Sequence, residues 1–282
     1  MSGDGDFHIR VMRPDEIALA VEWAASEGWN PGDRDAECFT HVDPQGFFIG
    51  ELRGEPAATI SNVNYDDHFS FLGFYIVRPD LRGRGLGLGI WQAALAHSGN
   101  RTVGLDGVVA QQTNYRKCGF VLAYRDIRFG GIVPKPAAPR GVIPINDVPF
   151  GVIEADDARI FPAPRGRFLK GWLAAPGHVG RAIIGAGDLK AWGVIRPCRH
   201  GFKVGPLVAA DRANAETVFA ALLAAVGGGE VFLDVPEINR HAVALAEAHG
   251  LKPVFETARM YTGSTRPMRM DRLYGVTTFE LG

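Results

Sequence analysis

The sequence predicts an α+β protein of two tandem, weakly similar units, each a mixed, mostly antiparallel sheet flanked by helices. Three observations carry this expectation. An order of hairpin, strand, helix, strand, helix and strand can be read twice along the chain. A Gly- and Pro-dense stretch, GGIVPKPAAPRG at 130–141, reads as the linker between the two readings. The chain has 282 residues, 46% of them apolar, which is enough for about two domains with sizeable cores.

The elements follow in order. DFHIRV reads as a strand, and a helix over 14–26 places Leu19, Val21, Trp23 and Ala24 at roughly helical spacing. GFFIGELRGEPAATISNV reads as a hairpin turning at Arg53-Gly54-Glu55-Pro56. FSFLGFYIV is an apolar strand, a glycine-rich stretch opens a helix over about 85–97, and RTVGLDGVV is the next strand. A short helix carries 114–117, and GFVLAYRDIRF is a strand. In the second unit, RAIIGAGDLKAWGVIRP reads as a hairpin and GFKVGPLVA as a strand. DRANAETVFAALLAAVGGG is a helix with Asp211 as its cap. EVFLDVP, INRHAVALAEAHG and KPVFETARMYTG read as strand, helix and strand. RLYGVTTFELG adds a last strand, either of its own unit or completing the sheet of the other.

Charge is nearly balanced, with 30 basic against 31 acidic residues, which argues against a broad nucleic-acid or acidic-membrane surface. Cys38, Cys118 and Cys198 lie far apart and fit no disulfide framework, so free thiols in a reducing compartment are expected. MSGDGDFHIR lacks a signal pattern, and no apolar run approaches the roughly 20 residues that span a bilayer. A soluble cytoplasmic protein is the expectation. The histidines and cysteines show no metal-ligand spacing, so no metal is expected.

In YIVRPDLRGRGLGLGIWQAALAHSG, glycines stand at every second position: Gly83, Gly85, Gly87 and Gly89. Missing side chains let a backbone approach a ligand and adopt positive φ. The first N–H groups of a helix lack internal partners and its N-terminus is partly positive. A glycine-rich turn there is an anion cradle suited to phosphate or pyrophosphate, to which Arg82 and Arg84 add charge. A Walker loop needs a closing Gly-Lys-Ser/Thr, and a dinucleotide fingerprint needs G-x-G-x-x-G after the first strand; neither is present.

R-x-x-G-x-G, met by Arg82, Gly85 and Gly87, resembles the acyl-CoA pyrophosphate loop of the GNAT acetyltransferases. NYRKCGF, from Asn114 to Phe120, resembles that family's Y-x-K-x-G-F motif. The two motifs in order, with a strand between them, make the resemblance strong over about 9–129. The whole chain resembles tandem GNAT proteins: a catalytic unit over 1–133 and a degenerate unit over 142–282 that covers the acceptor site.

The resemblance implies an N-acetyltransferase moving an acetyl group from acetyl-CoA to a primary amine of a small molecule or peptide. Amides from Arg82, Gly83, Arg84, Gly85, Leu86 and Gly87 hold the pyrophosphate, and Asn114 joins the cofactor-binding set. The backbone of Tyr75, Ile76 and Val77 pairs with the pantetheine arm, and an N–H near Val77 stabilises the oxyanion. Tyr115 is the implied general acid for the departing thiolate; otherwise it is an aromatic core residue. The base stays open among Glu27, Glu51, Asp66, Asp67, His68, Asp106 and a chain of waters. Trp29 and Asn30 either shape the acceptor pocket or staple a helix end. Cys118 reads as buried filler. A longer acyl donor is a variant of this reading, and a non-catalytic acyl-CoA sensor is the alternative.

The second unit departs from the motifs. On N-x-x-A-x-x-x-Y-x-x-x-G-F, residues Asn239, Ala242 and Gly250 match, but Ala246 and Leu251 replace the aromatic residues. ADRANAE stands where the glycine loop belongs, and Asp211 and Glu216 would repel a pyrophosphate. In the first unit Val108 stands where the family has Asn. Glu256, Arg259 and Tyr261 are polar residues on an otherwise apolar strand, and Arg259 is a candidate for holding an acceptor carboxylate, against a strand that merely alternates inward and outward.

Overall fold

The computed structural model describes residues 7–282; the opening six residues, read above for a signal pattern, lie outside the described residues. The first unit begins with β1 (Phe7–Val11), α1 (Ile17–Ser26) and a short α2 (Asp35–Phe39). β2 (Phe47–Leu52), β3 (Glu55–Asn64) and β4 (Phe69–Val77) form an antiparallel meander behind β1. α3 (Leu86–Ser98) connects β4 to its parallel neighbour β5 (Thr102–Val108), and α4 (Gln112–Lys117) leads into β6 (Val121–Val133).

The second unit repeats that order. β7 (Ile143–Pro144) is followed by α5 (Phe150–Asp157) and α6 (Gly166–Ala174). β8 (Val179–Gly185), β9 (Asp188–Pro197) and β10 (Phe202–Ala209) form the meander, and α7 (Arg212–Val226) connects β10 to the parallel β11 (Gly229–Pro236). α8 (Arg240–Ala248), β12 (Lys252–Tyr261) and a short β13 (Leu273–Gly275) complete the chain's elements. Asp211 caps α7 by accepting from the Asn214 amide at 2.9 Å, as expected. Asn239 caps α8 through the His241 and Ala242 amides.

The two sheets fuse into one. The strand order is β1-β2-β3-β4-β5-β12-β6-β11-β10-β9-β8-β7, which reads the same from either edge once each unit's sixth strand is recognised as exchanged. β12 of the second unit pairs with β5, and β6 of the first pairs with β11. Each exchanged strand carries an arginine opposite an aspartate of the other unit. Arg259 faces Asp106 with bonds of 2.6 and 2.8 Å, and Arg128 faces Asp234 with bonds of 2.6 and 2.8 Å. All four side chains are buried. A buried charge left without its partner is costly, so the two pairs select this register over a slipped one.

The linker is shorter than the sequence indicates. Gly130 and Gly131 lie inside β6, paired with Phe232 and Val231, and irregular chain runs only over 134–142. Gly130 is a packing glycine: a Cβ there would meet the Phe232 ring at 2.8 Å.

Of the two readings of the tail strand, the structure shows the one that keeps it in its own unit, and another strand does the bridging. β12 enters the first sheet, whereas β13 pairs antiparallel with β10 of its own unit. β10 and β11 pair only over Phe202–Val204 and Val231–Leu233, then part. β13 fills the opening, with the Val276 amide bonded to the Asp234 carbonyl at 2.8 Å. The following segment, 276–282, runs on into the first unit. The largest apolar cluster is accordingly shared, with Phe39, Phe71 and Phe74 packed among Phe168, Trp172 and Phe279.

Candidate active site

In the first unit the corresponding opening is not filled by a strand. β4 and β5 pair from Phe69/Thr102 to Leu72/Leu105 and then part. On its other side β4 stays paired with β3, but with one extra residue. Thr59 faces Ile76 and Ser61 faces Gly73, so Ile60 opposes both Phe74 and Tyr75. Phe74 takes φ of 49°, a left-handed conformation rare for a bulky side chain. Thr59 Oγ1 donates to the Phe74 carbonyl at 2.9 Å. A trans peptide sends N–H and C=O in opposite directions, so the Tyr75 N–H is turned away from β3 and toward the gap.

The gap is a cavity of about 60 Å³ lined by Trp29, Gly73, Phe74, Tyr75, Asp106, Tyr115, Phe255, Thr257, Phe279 and Glu280. Trp29, Tyr75, Val108, Gln111 and Phe255 are shared with a wider cleft of about 460 Å³, which continues past Val77 to Glu27 and Arg82. Phe255, Thr257, Phe279 and Glu280 come from the second unit, so both units wall the cavity.

At the outer end lies the glycine turn. Gly83 and Gly85 have φ of 78° and 85°, and a Cβ on either would meet nothing, so conformation and not space requires them. Gly85 is the N-cap of α3. Gly87 makes room for a neighbour, because a Cβ there would lie 2.6 Å from the Tyr75 hydroxyl and displace that ring. Gly89 would make only ordinary contacts at 3.6 Å with Ile9 and Phe7. The first turn of α3 thus opens directly behind an exposed glycine turn, an arrangement with the free amides that an anion site needs. Among the described residues no acidic side chain pairs with Arg84. Arg82 is engaged: its Nε donates to the Val77 carbonyl at 2.9 Å and its Nη2 bonds Glu27.

Tyr115 lies on α4 and is buried against Trp91, with ring centroids 5.5 Å apart and planes at 21°. Gly107 makes its seat, since a Cβ there would come within 2.8 Å of the ring. Burial pushes the phenol well above its usual range, with nearby Tyr75 and Cys118 adding to the effect, so at neutral pH it holds its proton. Asn114 is exposed on the same helix and donates to Gln111 at 2.8 Å.

The sequence candidates for a base separate clearly. Glu27 is at the cleft mouth, paired with Arg82. Glu51 is held by Arg10 at 2.6 Å on a distant strand. Asp66 accepts from the His68 and Phe69 amides in the β3–β4 turn, beside Asp67. Asp106 alone among these lines the inner cavity, doubly bonded to Arg259. Arg259 is therefore engaged by Asp106, which favours the structural one of its two readings over the acceptor-carboxylate role. Trp29 lines the cavity, whereas Asn30 bonds the β9–β10 turn through Cys198 and His200. Cys118 is exposed, contrary to the buried reading, because α4 turns only Tyr115 inward. All three cysteines are free, and among the described residues no group of side chains has a metal-binding arrangement.

Sequence reasoning missed Glu280 and Thr257. Both are buried, and neither the Glu280 carboxylate oxygens nor Thr257 Oγ1 has a hydrogen-bond partner among the described residues. The available signal was a lone carboxylate in the apolar run FELG.

Comparison with known proteins finds matches to both units. Residues 15–120 match the Acetyltransferase (GNAT) family, and residues 153–275 match a further Acetyltransferase (GNAT) domain. The chain is 35% identical over 271 residues to a holothin acyltransferase of Pseudoalteromonas sp., covering 95% of this chain and 92% of that one. Among solved structures, a protein from Pyrococcus horikoshii assigned as an acetyltransferase superposes with a TM-score of 0.83 at 24% identity, covering 100% and 98% of the two chains. A tandem GNAT protein from the clavulanic acid biosynthesis pathway gives a TM-score of 0.63 at 14% identity, covering 92% and 99%. No helix among the described residues is long and apolar enough to cross a membrane.

Proposed function

The chain belongs to the GNAT acetyltransferase family, as an acyltransferase with two such domains in tandem, and from that premise we propose that it transfers an acetyl group from acetyl-CoA to a primary amine within a ternary complex. The observation that carries the reading is continuity: one strand, β4, runs from the anion cradle at Gly83–Gly87 past the cleft to the cavity holding Tyr115.

In this reading the amides of Arg82 to Gly87 and the Arg84 guanidinium take the pyrophosphate. The open edge of β4 at Tyr75, Ile76 and Val77 takes the pantetheine amides. The orientation of the bulge favours the Tyr75 N–H, over one near Val77, as donor to the oxyanion formed when the amine attacks. Tyr115 then gives its proton to the leaving thiolate, and much of the rate comes from holding the two reactants together. A small cavity supports a short acyl group over a long chain. With its own opening filled by β13, the second unit acts as a wall of the acceptor site. Catalysis is thus assigned to the first unit.

Calorimetric titration should show one CoA site per chain. Thiol release from acetyl-CoA with a panel of amines, holothin first, separates an enzyme from an acyl-CoA sensor. Binding without any thiol release would overturn the catalytic reading.

A further inference from the structure

Glu280 is 2% exposed, lines the inner cavity, and has both carboxylate oxygens without a hydrogen-bond partner among the described residues. An isolated buried carboxylate is costly unless something repays it. Among the described residues the only other carboxylate in that condition is Asp126, which does not line the cavity and sits beside Asp106 and Arg259.

The segment that carries Glu280 is fixed on both sides. Arg165, itself bonded to Asp157, donates to Thr277 Oγ1 at 2.8 Å and to the Gly282 carbonyl at 2.6 Å. The Tyr65 hydroxyl donates to the Leu281 carbonyl at 2.7 Å. The Glu280 backbone rests directly on Gly73, beside the β4 bulge. This much anchoring holds one carboxylate without a hydrogen-bond partner in the cavity that Tyr75 and Tyr115 also line.

Resting on the acyltransferase reading above, we propose that Glu280, delivered from the second unit, is the group that holds the acceptor amine and takes its proton. As the C–N bond forms, one N–H proton passes to the Glu280 carboxylate and the carbonyl electron pair moves to oxygen. When the carbonyl reforms, the C–S bond breaks and the thiolate takes the Tyr115 proton. Exchange with water then removes the proton from Glu280 and restores that of Tyr115.

The surroundings act on the basicity of this carboxylate in both directions. Burial raises the Glu280 carboxyl above its usual range, Lys203 on β10 and Arg128 on β6 oppose that rise, and Asp35 on α2 adds to it. Arg128 is already committed to Asp234, and Asp35 to Arg196. Across the cavity stand Asp106, bonded to Arg259, and the protonated Tyr115.

The test needs no identified acceptor, because water is a slow alternative to the amine at the same carboxylate. Acetyl-CoA binding, melting temperature and thiol release are measured for wild type, Glu280→Gln and Glu280→Asp, with water alone and with holothin or benzylamine. Glu280→Gln is expected to lower thiol release by roughly 10²-fold or more while acetyl-CoA affinity changes by less than about threefold, and to remove the acidic limb of the pH profile. Glu280→Asp should fall between the two. Unchanged thiol release in Glu280→Gln overturns the proposal, as does parallel loss of melting temperature and CoA binding, which marks a structural role. If Glu280→Gln fails to fold, a folded Glu280→Asp with wild-type rate and pH profile overturns it. Failure of the wild type to bind acetyl-CoA would instead sink the acyltransferase reading itself.

Discussion

The carbonyl of Glu280 lies so close over Gly73 that no side chain fits between them. The clash would be with backbone on both sides, and the tail is pinned at Thr277, Leu281 and Gly282, so neither partner can move aside cheaply. Gly73→Ala is expected to cost about 1–3 kcal/mol of stability by overpacking and to lower thiol release at least about tenfold by shifting Glu280. Denaturant melts and steady-state rates check this; a fully active variant would show that the tail does not set the cavity.

The four alternating glycines are expected to behave differently from one another. Gly85→Ala forces a Cβ into left-handed backbone, costing about 1–2 kcal/mol, and should weaken CoA binding at least about tenfold. Gly89→Ala adds only ordinary contacts and should leave affinity unchanged while gaining up to about 1 kcal/mol of helix stability. Titration calorimetry and thermal melts on the pair give the comparison.

Tyr115→Phe keeps the stacking on Trp91 and removes only the hydroxyl. Turnover should fall by about 10²–10³-fold with CoA affinity preserved. Gly107→Ala pushes the ring from its seat and should reproduce the rate loss together with a stability loss of about 1–3 kcal/mol. Equal turnover in wild type and Tyr115→Phe would return Tyr115 to a packing role.

Arg259→Met leaves Asp106 buried and unpaired beside Asp126, whose carboxyl burial and Asp106 together push well above the usual range. The expected cost is about 3–5 kcal/mol, far above that of an exposed ion pair. The double variant with Asp106→Asn should recover much of it. Chemical denaturation of the single and double variants measures the coupling.

His178 predicts an acid limit to stability. Its Nδ1 bonds the Trp172 carbonyl at 2.8 Å, its Nε2 is buried without a partner among the described residues, and burial lowers its pKa to about 4. Between pH 6.5 and about 4 the unfolded chain binds a proton that the folded chain refuses. Stability contributed by the neutral ring is complete above that window and falls by about 3 kcal/mol across it. His178→Asn should flatten this part of the pH–stability curve.

Much of this protein is written locally in its sequence. The glycine turn is legible because left-handed backbone and close approach each demand glycine at a given position, whatever the rest of the chain does. Asp211 and Asn239 announce helix starts for the same reason: a cap satisfies amides only a few residues away. The paired motifs around Arg82–Gly87 and Asn114–Phe120 were enough to place the family. What the tertiary structure alone decided is which strand pairs with which, and therefore what faces the cavity. β6 and β12 have alike patterns, and the observed exchange joins Arg128 to Asp234 and Arg259 to Asp106, contacts 106 and 153 residues apart. Glu280 reads locally as one carboxylate in an apolar tail. It becomes a group in the site only because β13 fills the second unit's opening and sends the chain on across Gly73, a path set by long-range packing and invisible to any local rule.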